Sequence, residues 1–357
     1  MLDPKTVLSY WDNYLHTKSN SDYTTLYIHI PFCLQRCRYC LYQTNELKDV
    51  SDVDRYLDRL ENEILFYREA VGKLKIQSIY LGGGTASILT IEQLKRLENM
   101  LHYYFDIEIS NNQFTIECHP KTLTTEKINY LASSIWNRLS VGAQTFCPQI
   151  LEKENRASPD MKDFTFMLLY IMEAYKHRNY LLNVDLMTGL KEQTIDILAN
   201  DFNFLSVLNI PKITIYPKRI NNDHTEENEI MLLESREQFI RPLLSRIPLE
   251  KYDYEAIDGY EFEGHGYDNT SFYQFVRKDF SFAFEKIYVD KPGNFEGCIN
   301  TNLGLGDRAY SWIRTDECYI NHDFSYVASK QFYHELESMK LNLRGYKIES
   351  VRKRISS

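Results

Sequence analysis

The chain has 357 residues, 25% of them charged and 43% hydrophobic, which suits a large globular body with room for a smaller appended part. A formal net charge of −9 argues against broad binding to nucleic acid or to an anionic membrane, since both want a positive face. No apolar run approaches the roughly 20 residues that span a bilayer, and the opening MLDPKTVLSYWDNYLHTKSN has no apolar signal core, so the expectation is a cytoplasmic protein.

In chain order, residues 1–22 read as an N-terminal helical segment. TLYIHIP (25–31) reads as a short buried strand, and Ser51 to Ala70 as an amphipathic helix with Ser51 and Asp52 placed to cap it. IQSIYLGGG (77–84) is a strand running into glycines, followed by a helix from Thr90 to Tyr104. NQFTIECHP (112–120), WNRLSVGAQTF (136–146), YLLNVDLMTGL (180–190) and PKITIYP (211–217) are further strands, with helices between them. This alternation predicts an α/β fold, a parallel sheet curling toward a partial (β/α)6 barrel over residues 23–220. In that architecture chemistry gathers at the carboxyl ends of the strands.

After Pro217 the rhythm changes. A polar connector, KRINNDHTEENE, leads into helical spacing from Ile230 to Arg246, then an aromatic and glycine-rich stretch with strand-like pieces such as FSFAFEKIYV. The segment from Phe324 onward reads as helical. Residues 221–357 are therefore expected to form a smaller α+β domain that shapes a substrate cavity.

Seven cysteines in a chain this long do not suggest a disulfide framework, but three of them cluster. Cys33-Leu-Gln-Arg-Cys37-Arg-Tyr-Cys40 follows directly on the first strand. A loop with this spacing can wrap three thiolates around one corner of an iron–sulfur cubane and leave the fourth iron open. Structural zinc is the alternative; it would need a fourth ligand such as Cys118 or His119.

YIHIPFCLQRCRYC resembles the cluster loop of the radical S-adenosylmethionine (SAM) superfamily, and HIPFC resembles its oxygen-independent coproporphyrinogen III oxidase (HemN)-like branch. The likeness covers roughly residues 24 to 220 and resumes at NLGLGDRAYSW (302–312), similar to that branch's C-terminal glycine-rich turn. It implies a radical SAM barrel with a smaller HemN-like C-terminal domain, and a [4Fe–4S] cluster held by Cys33, Cys37 and Cys40. It further implies that an electron from the cluster cleaves SAM to start radical chemistry.

The same resemblance assigns the SAM pocket. Gly82, Gly83 and Thr85 of GGGT would meet the amino group, and Glu117 of IECHP would take an ammonium or a ribose hydroxyl. Gln144 of SVGAQTF and Asp185 of NVDLMTGL would bind ribose. Arg156 of KENRAS would pair its planar fork with the carboxylate. Tyr27, six residues before Cys33, fits a tyrosine near the cluster, as a cofactor-binding and catalytic candidate. Cys118, beside Glu117, is read either as a catalytic thiol or as plain packing, and His265 of GHGYDNTSFY as a heme ligand, a proton carrier or a surface residue.

The chain departs from coproporphyrinogen oxidase in having Tyr42 where that enzyme carries a further cysteine. The continuation Leu41-Tyr42-Gln43 is closer to methyl-transferring members of the branch. The resemblance thus implies two SAM molecules, one cleaved and one donating its methyl carbon to an sp² carbon of a small-molecule substrate. The rival readings are a tetrapyrrole enzyme, by decarboxylation or heme degradation, and a heme chaperone. A reduced flavodoxin or ferredoxin would supply electrons, with neither nucleic acid nor membrane as a partner.

Overall fold

A computed structural model describes residues 4–18, 23–42, 44–109, 112–219, 230, 234–247, 249–258, 273–278, 294–295, 298–307, 309–314, 318–324 and 343–350. The helices are α1 (Pro4–Thr17), α2 (Val50–Val71), α3 (Ile91–Tyr104), α4 (Thr125–Ser133), α5 (Pro148–Lys153), α6 (Met161–Tyr175), α7 (Ile195–Val207) and α8 (Arg241–Arg246). The principal strands begin with β1 (Tyr23–Ile30), β2 (Ser78–Gly83), β3 (Gln113–Cys118), β4 (Arg138–Gln144), β5 (Leu181–Thr188) and β6 (Lys212–Pro217). They continue with β7 (Tyr254–Asp258), β8 (Tyr273–Arg277), β9 (Cys298–Leu305), β10 (Tyr310–Arg314), β11 (Cys318–Phe324) and β12 (Leu343–Ser350).

Helix starts are set by short polar side chains that accept the first free amides. Asp49 takes the Ser51 amide at 2.8 Å and Asp52 reciprocates, so the cap of α2 lies two residues before the segment read as helical. Thr90 and Gln93 form the same reciprocal box on α3. Thr124, Asp160 and Thr194 cap α4, α6 and α7.

The chain forms two compact units. The first comprises residues 1–33, 43–115 and 283–357, with strand order β3-β2-β1-β9-β10-β11-β12. Leu26, Ile28 and Ile30 of β1 are fully buried on one face, while Thr25, Tyr27 and His29 occupy the other. The helix α1 is anchored by Trp11, whose ring meets Tyr67 of α2 edge-on at 5.9 Å.

The second unit comprises residues 34–42 and 116–282, with order β7-β8-β6-β5-β4-β3. Strands β4, β5 and β6 run parallel, and β7 and β8 extend the sheet in antiparallel fashion. One face of β5 is apolar, with Leu182, Val184 and Leu186 fully buried. The other carries a buried polar network: Asn183 Nδ2 donates to Ser140 Oγ at 2.9 Å and to Asp185 Oδ1 at 2.6 Å, and Thr214 Oγ1 donates to Asn183 Oδ1 at 2.7 Å.

The six predicted parallel strands and their helices are all present. Residues 221–282 fall with the second compact unit and 283–357 with the first. Cys298–Leu305 pairs in parallel with β1 in register Thr25↔Asn302 and Tyr27↔Gly304. One expectation is corrected. Leu343–Ser350, read as helical, is a strand antiparallel to β11, pairing Ile320 with Ile348 and His322 with Tyr346. FSFAFEKIYV, His265 and most of the polar connector lie outside the described residues.

Candidate functional site

In the first unit, Cys33 ends a two-residue strand, Phe32–Cys33, that pairs with Asn45–Glu46 just beyond β1. The glycine turn after β2 packs directly on it. The Gly84 amide donates to Ile30 O and the Thr85 amide to Phe32 O, each at 2.8 Å. Thr85 Oγ1 lies 3.7 Å from Cys33 Sγ. A Cβ on Gly84 would stand 2.6 Å from Phe32 O and 3.0 Å from Cys33 Sγ, so only glycine permits this approach. Gly83, at φ 110, lies against the His29 ring in the same way. Because the Gly84 and Thr85 amides are engaged by Ile30 O and Phe32 O, donation to a ligand from those two positions is excluded.

Tyr27 is half-buried on the polar face of β1, its hydroxyl 3.1 Å from His29 Nδ1 and its ring tilted against Tyr80 of β2. The turn following β9 braces this strand from below. Tyr56 OH donates to His29 O at 2.6 Å and accepts from the Asp307 amide at 3.0 Å, while the Gly306 amide donates to the Glu63 carboxylate.

In the second unit, Cys37 is met by Arg156 and Tyr39. Arg156 Nη1 lies 3.7 Å from Cys37 Sγ and donates to Tyr39 OH at 2.9 Å, and its Nη2 donates to Gly142 O. Burial pushes the Tyr39 phenol well above its ordinary pKa, so it stays protonated, and its hydroxyl is within hydrogen-bonding range of Cys37. Two donors therefore face one thiol sulfur.

The strand ends supply the remaining candidates. Gln144 closes β4 at φ 70, a strained value for a side chain with a Cβ, just where the register with β5 shifts. Its amide turns back over Gly142, where a Cβ would meet Gln144 Nε2 at 2.8 Å and Arg156 Nη2 at 3.1 Å. Glu117 is half-buried one residue before the end of β3. Asp185 sits in mid-strand rather than at a strand end, paired across to Gly142 and Thr214. Its carboxylate accepts from Ser140 and Asn183, and burial raises its pKa against the opposing pull of Ser140 and Arg138.

Cys118 alternates with Glu117 and so shares a face with Phe114 and Ile116, both fully buried. Its thiol contacts Ile116 O at 3.6 Å. This burial fits the packing alternative that stands beside the catalytic reading of this thiol. His119 Nδ1 accepts the Lys121 amide at 3.1 Å, which fixes the imidazole proton on Nε2.

Among the described residues no three His, Cys, Asp or Glu side chains are grouped as ligands for one metal ion. A cubane, whose irons stand apart, instead asks three thiolates to be spread along a loop. The donor set fits that group: a threonine hydroxyl, a guanidinium and a phenol aimed at cysteine sulfurs are the outer contacts that tune an iron–sulfur centre. Sequence reading missed Tyr39, Gly142 and His29; the role of Gly142 depends on a bulge that periodicity does not reveal.

The radical SAM superfamily model matches residues 27–205. The heme chaperone HemW of Bacillus subtilis is 33% identical over 190 residues, covering 53% of this chain and 49% of its own length. The oxygen-independent coproporphyrinogen III oxidase of Escherichia coli is 26% identical over 324 residues, covering 88% of this chain and 65% of its own. The solved structure of that Escherichia coli enzyme, HemN, superposes with a TM-score of 0.69 at 23% identity, over 94% of this chain and 73% of that one. The chain thus spans about half the length of the HemW relatives it matches, while sharing the HemN fold.

Proposed function

The chain belongs to the radical SAM superfamily, in its HemN-like branch, and from that premise we propose that it is an enzyme transferring a methyl carbon from SAM to a small-molecule substrate. Its cofactors are a [4Fe–4S] cluster and SAM. When bound, the cluster supplies the electron that breaks the C5′–S bond of SAM. The observation that carries this reading is the placement of polar donors on two of the motif sulfurs, Thr85 on Cys33 and Arg156 on Cys37.

In this reading Cys33, Cys37 and Cys40 are the ligands. Thr85, Tyr39 and Arg156 donate toward thiolate sulfur and stabilise the added negative charge. Gly82, Gly83 and Thr85 offer close backbone approach to SAM's amino group, and Arg156 takes the carboxylate through Nε, which has no hydrogen-bond partner within the protein. Gln144, Asp185 and Glu117 bind ribose and ammonium groups, and Tyr27 is a cofactor-binding and catalytic candidate on β1.

Methyl transfer with a second SAM, to an sp² carbon, is supported by Tyr42 in place of the further cysteine of the coproporphyrinogen oxidases. A flavodoxin or ferredoxin would be the reductant. A second reading, heme handling without turnover, is favoured by the HemW names of relatives at 33% and 31% identity. Anaerobically reconstituted protein with dithionite and SAM decides between them. Joint formation of 5′-deoxyadenosine and S-adenosylhomocysteine is expected. A heme Soret band on mixing, with SAM left intact, would overturn the proposal.

A further inference from the structure

The turn that ends α5 is a Schellman cap. Asn155 lies in the left-handed region at φ 51; its amide donates to Glu152 O at 3.0 Å, and the Arg156 amide donates to Leu151 O at 2.8 Å. The carbonyls of Lys153, Glu154 and Asn155 thereby lie past the last helical bond and need other donors.

The cysteine loop provides them. Lys153 O accepts from Arg38 Nη1 at 2.8 Å, Glu154 O from the Arg38 amide at 2.9 Å, and Asn155 O from Gln35 Nε2 at 2.7 Å. In the reverse direction Asn155 Nδ2 donates to Arg36 O at 2.9 Å. The turn is anchored from behind: the buried Glu154 carboxylate accepts from the Lys191 amide at 3.1 Å and from Lys218 Nζ at 2.9 Å.

We propose that Asn155 is a positioning residue whose clasp on residues 35–38 holds the Cys37 and Cys40 loop in its ligating shape before iron arrives. This rests on the reading that Cys33, Cys37 and Cys40 hold the cluster. The choice of side chain follows from two demands at one position. The backbone needs a residue that tolerates φ 51, and the loop needs a donor for Arg36 O. Glycine meets the first demand without the second, and aspartate would set a carboxylate against a carbonyl. Alanine meets neither. Loop ordering is thereby transferred to a helix cap formed within the protein, so metal binding no longer has to supply it.

Trypsin cuts after Arg36 and Arg38, which makes the apo loop its own reporter, since cleavage follows the population of the opened form. In apo N155G, cleavage at these two sites should run roughly three- to tenfold faster than in wild type, the equivalent of one lost hydrogen bond. N155A should be at least as fast. Q35A, which removes a different bond without touching the left-handed position, should move the same way. In reconstituted protein, iron release to a chelator should accelerate by a similar factor, and the electron paramagnetic resonance spectrum of the reduced cluster should change shape. A role in stability alone would leave that spectrum as in wild type. If N155G and Q35A match wild type in loop cleavage and iron retention, the clasp is overturned. If wild-type protein assembles no iron–sulfur centre, the cluster reading falls, and the trypsin comparison on the apo chain still decides the clasp by itself.

Discussion

Thr85 Oγ1 and Cys33 Sγ, 52 residues apart in the chain, stand 3.7 Å from one another because the glycine turn after β2 folds onto the start of the cysteine loop. A hydroxyl donor on a ligand sulfur favours the reduced, more negative cluster and so raises its potential. The isosteric change Thr85→Val should lower the reduction potential by about 30–60 mV, taking ~59 mV per tenfold in a one-electron equilibrium. A redox titration followed by electron paramagnetic resonance measures this directly; an unchanged potential would remove Thr85 from the cluster's surroundings.

Two glycines should fail in different ways. Gly84→Ala forces a methyl against Phe32 O, a backbone atom that cannot swing aside, and against Cys33 Sγ. Its expected cost is about 1–3 kcal/mol of stability together with loss of bound iron. Gly142→Ala presses on the ends of two flexible side chains, Gln144 and Arg156, and meets backbone, at Cys118 O, only at an ordinary 3.9 Å. Its stability should stay within about 1 kcal/mol of wild type, while KM for SAM rises. Urea titrations paired with iron analysis and SAM kinetics separate the two; equal behaviour would contradict the geometry.

Asp201 of α7 accepts from Thr145 Oγ1 at 2.6 Å and from the Phe146 amide at 3.0 Å, bracing the residues just after Gln144. Burial raises its pKa from 3.8 to about 6 despite those bonds. An acid with a raised native pKa contributes stability that is fully present below pH 3.8 and is lost as pH rises through 6. Over that window the contribution falls by about 2–3 kcal/mol. Asp201→Asn should abolish this fall, visible as the difference between wild-type and variant urea midpoints at pH 4.5 and pH 7.

His119 carries the opposite slope. Burial, with Arg156 and Lys121 adding to it, pushes its pKa from 6.5 down to about 3. The unfolded chain takes up this proton below pH 6.5 and the folded chain refuses it, so stability is present above that pH and lost toward pH 3. Imidazole nitrogen shifts should report a neutral ring protonated on Nε2 throughout pH 5–8. A titration of His119 in that range would be inconsistent with its bond to the Lys121 amide.

The parallel strands were legible because their alternation is unusually plain. On β1, Leu26, Ile28 and Ile30 face the helices, and a turn signal follows at Pro31. The helix starts were legible within a residue or two, and α2 shows the limit: Ser51 and Asp52 looked like caps, yet Asp49 is the one whose side chain reaches the free amide. The strand Cys298–Leu305 was not legible. Ile299, Thr301, Leu303 and Leu305 do alternate with Asn300, Asn302 and Gly304, but asparagines and glycines at the alternate positions read as a turn; Asn302 instead faces the polar side of the sheet, where its Oδ1 accepts from Thr25 Oγ1 at 2.9 Å. The cysteine motif was readable from spacing. Its surroundings were not, because Arg156 and Tyr39 come together through a helix cap and a bulge, and neither leaves a periodic trace.

The pairing of β1 with β9 has a temporal consequence. Thr25 and Asn302 are separated by 277 residues, so the strand leading into the cysteine loop gains its second neighbour only after that further stretch has been made. A nascent chain halted before residue 298 presents one open edge of β1, a template for pairing with other chains, beside thiols already exposed to oxidant. Iron insertion in the cell is therefore best timed after residues 298–305 have been made, when that edge has closed.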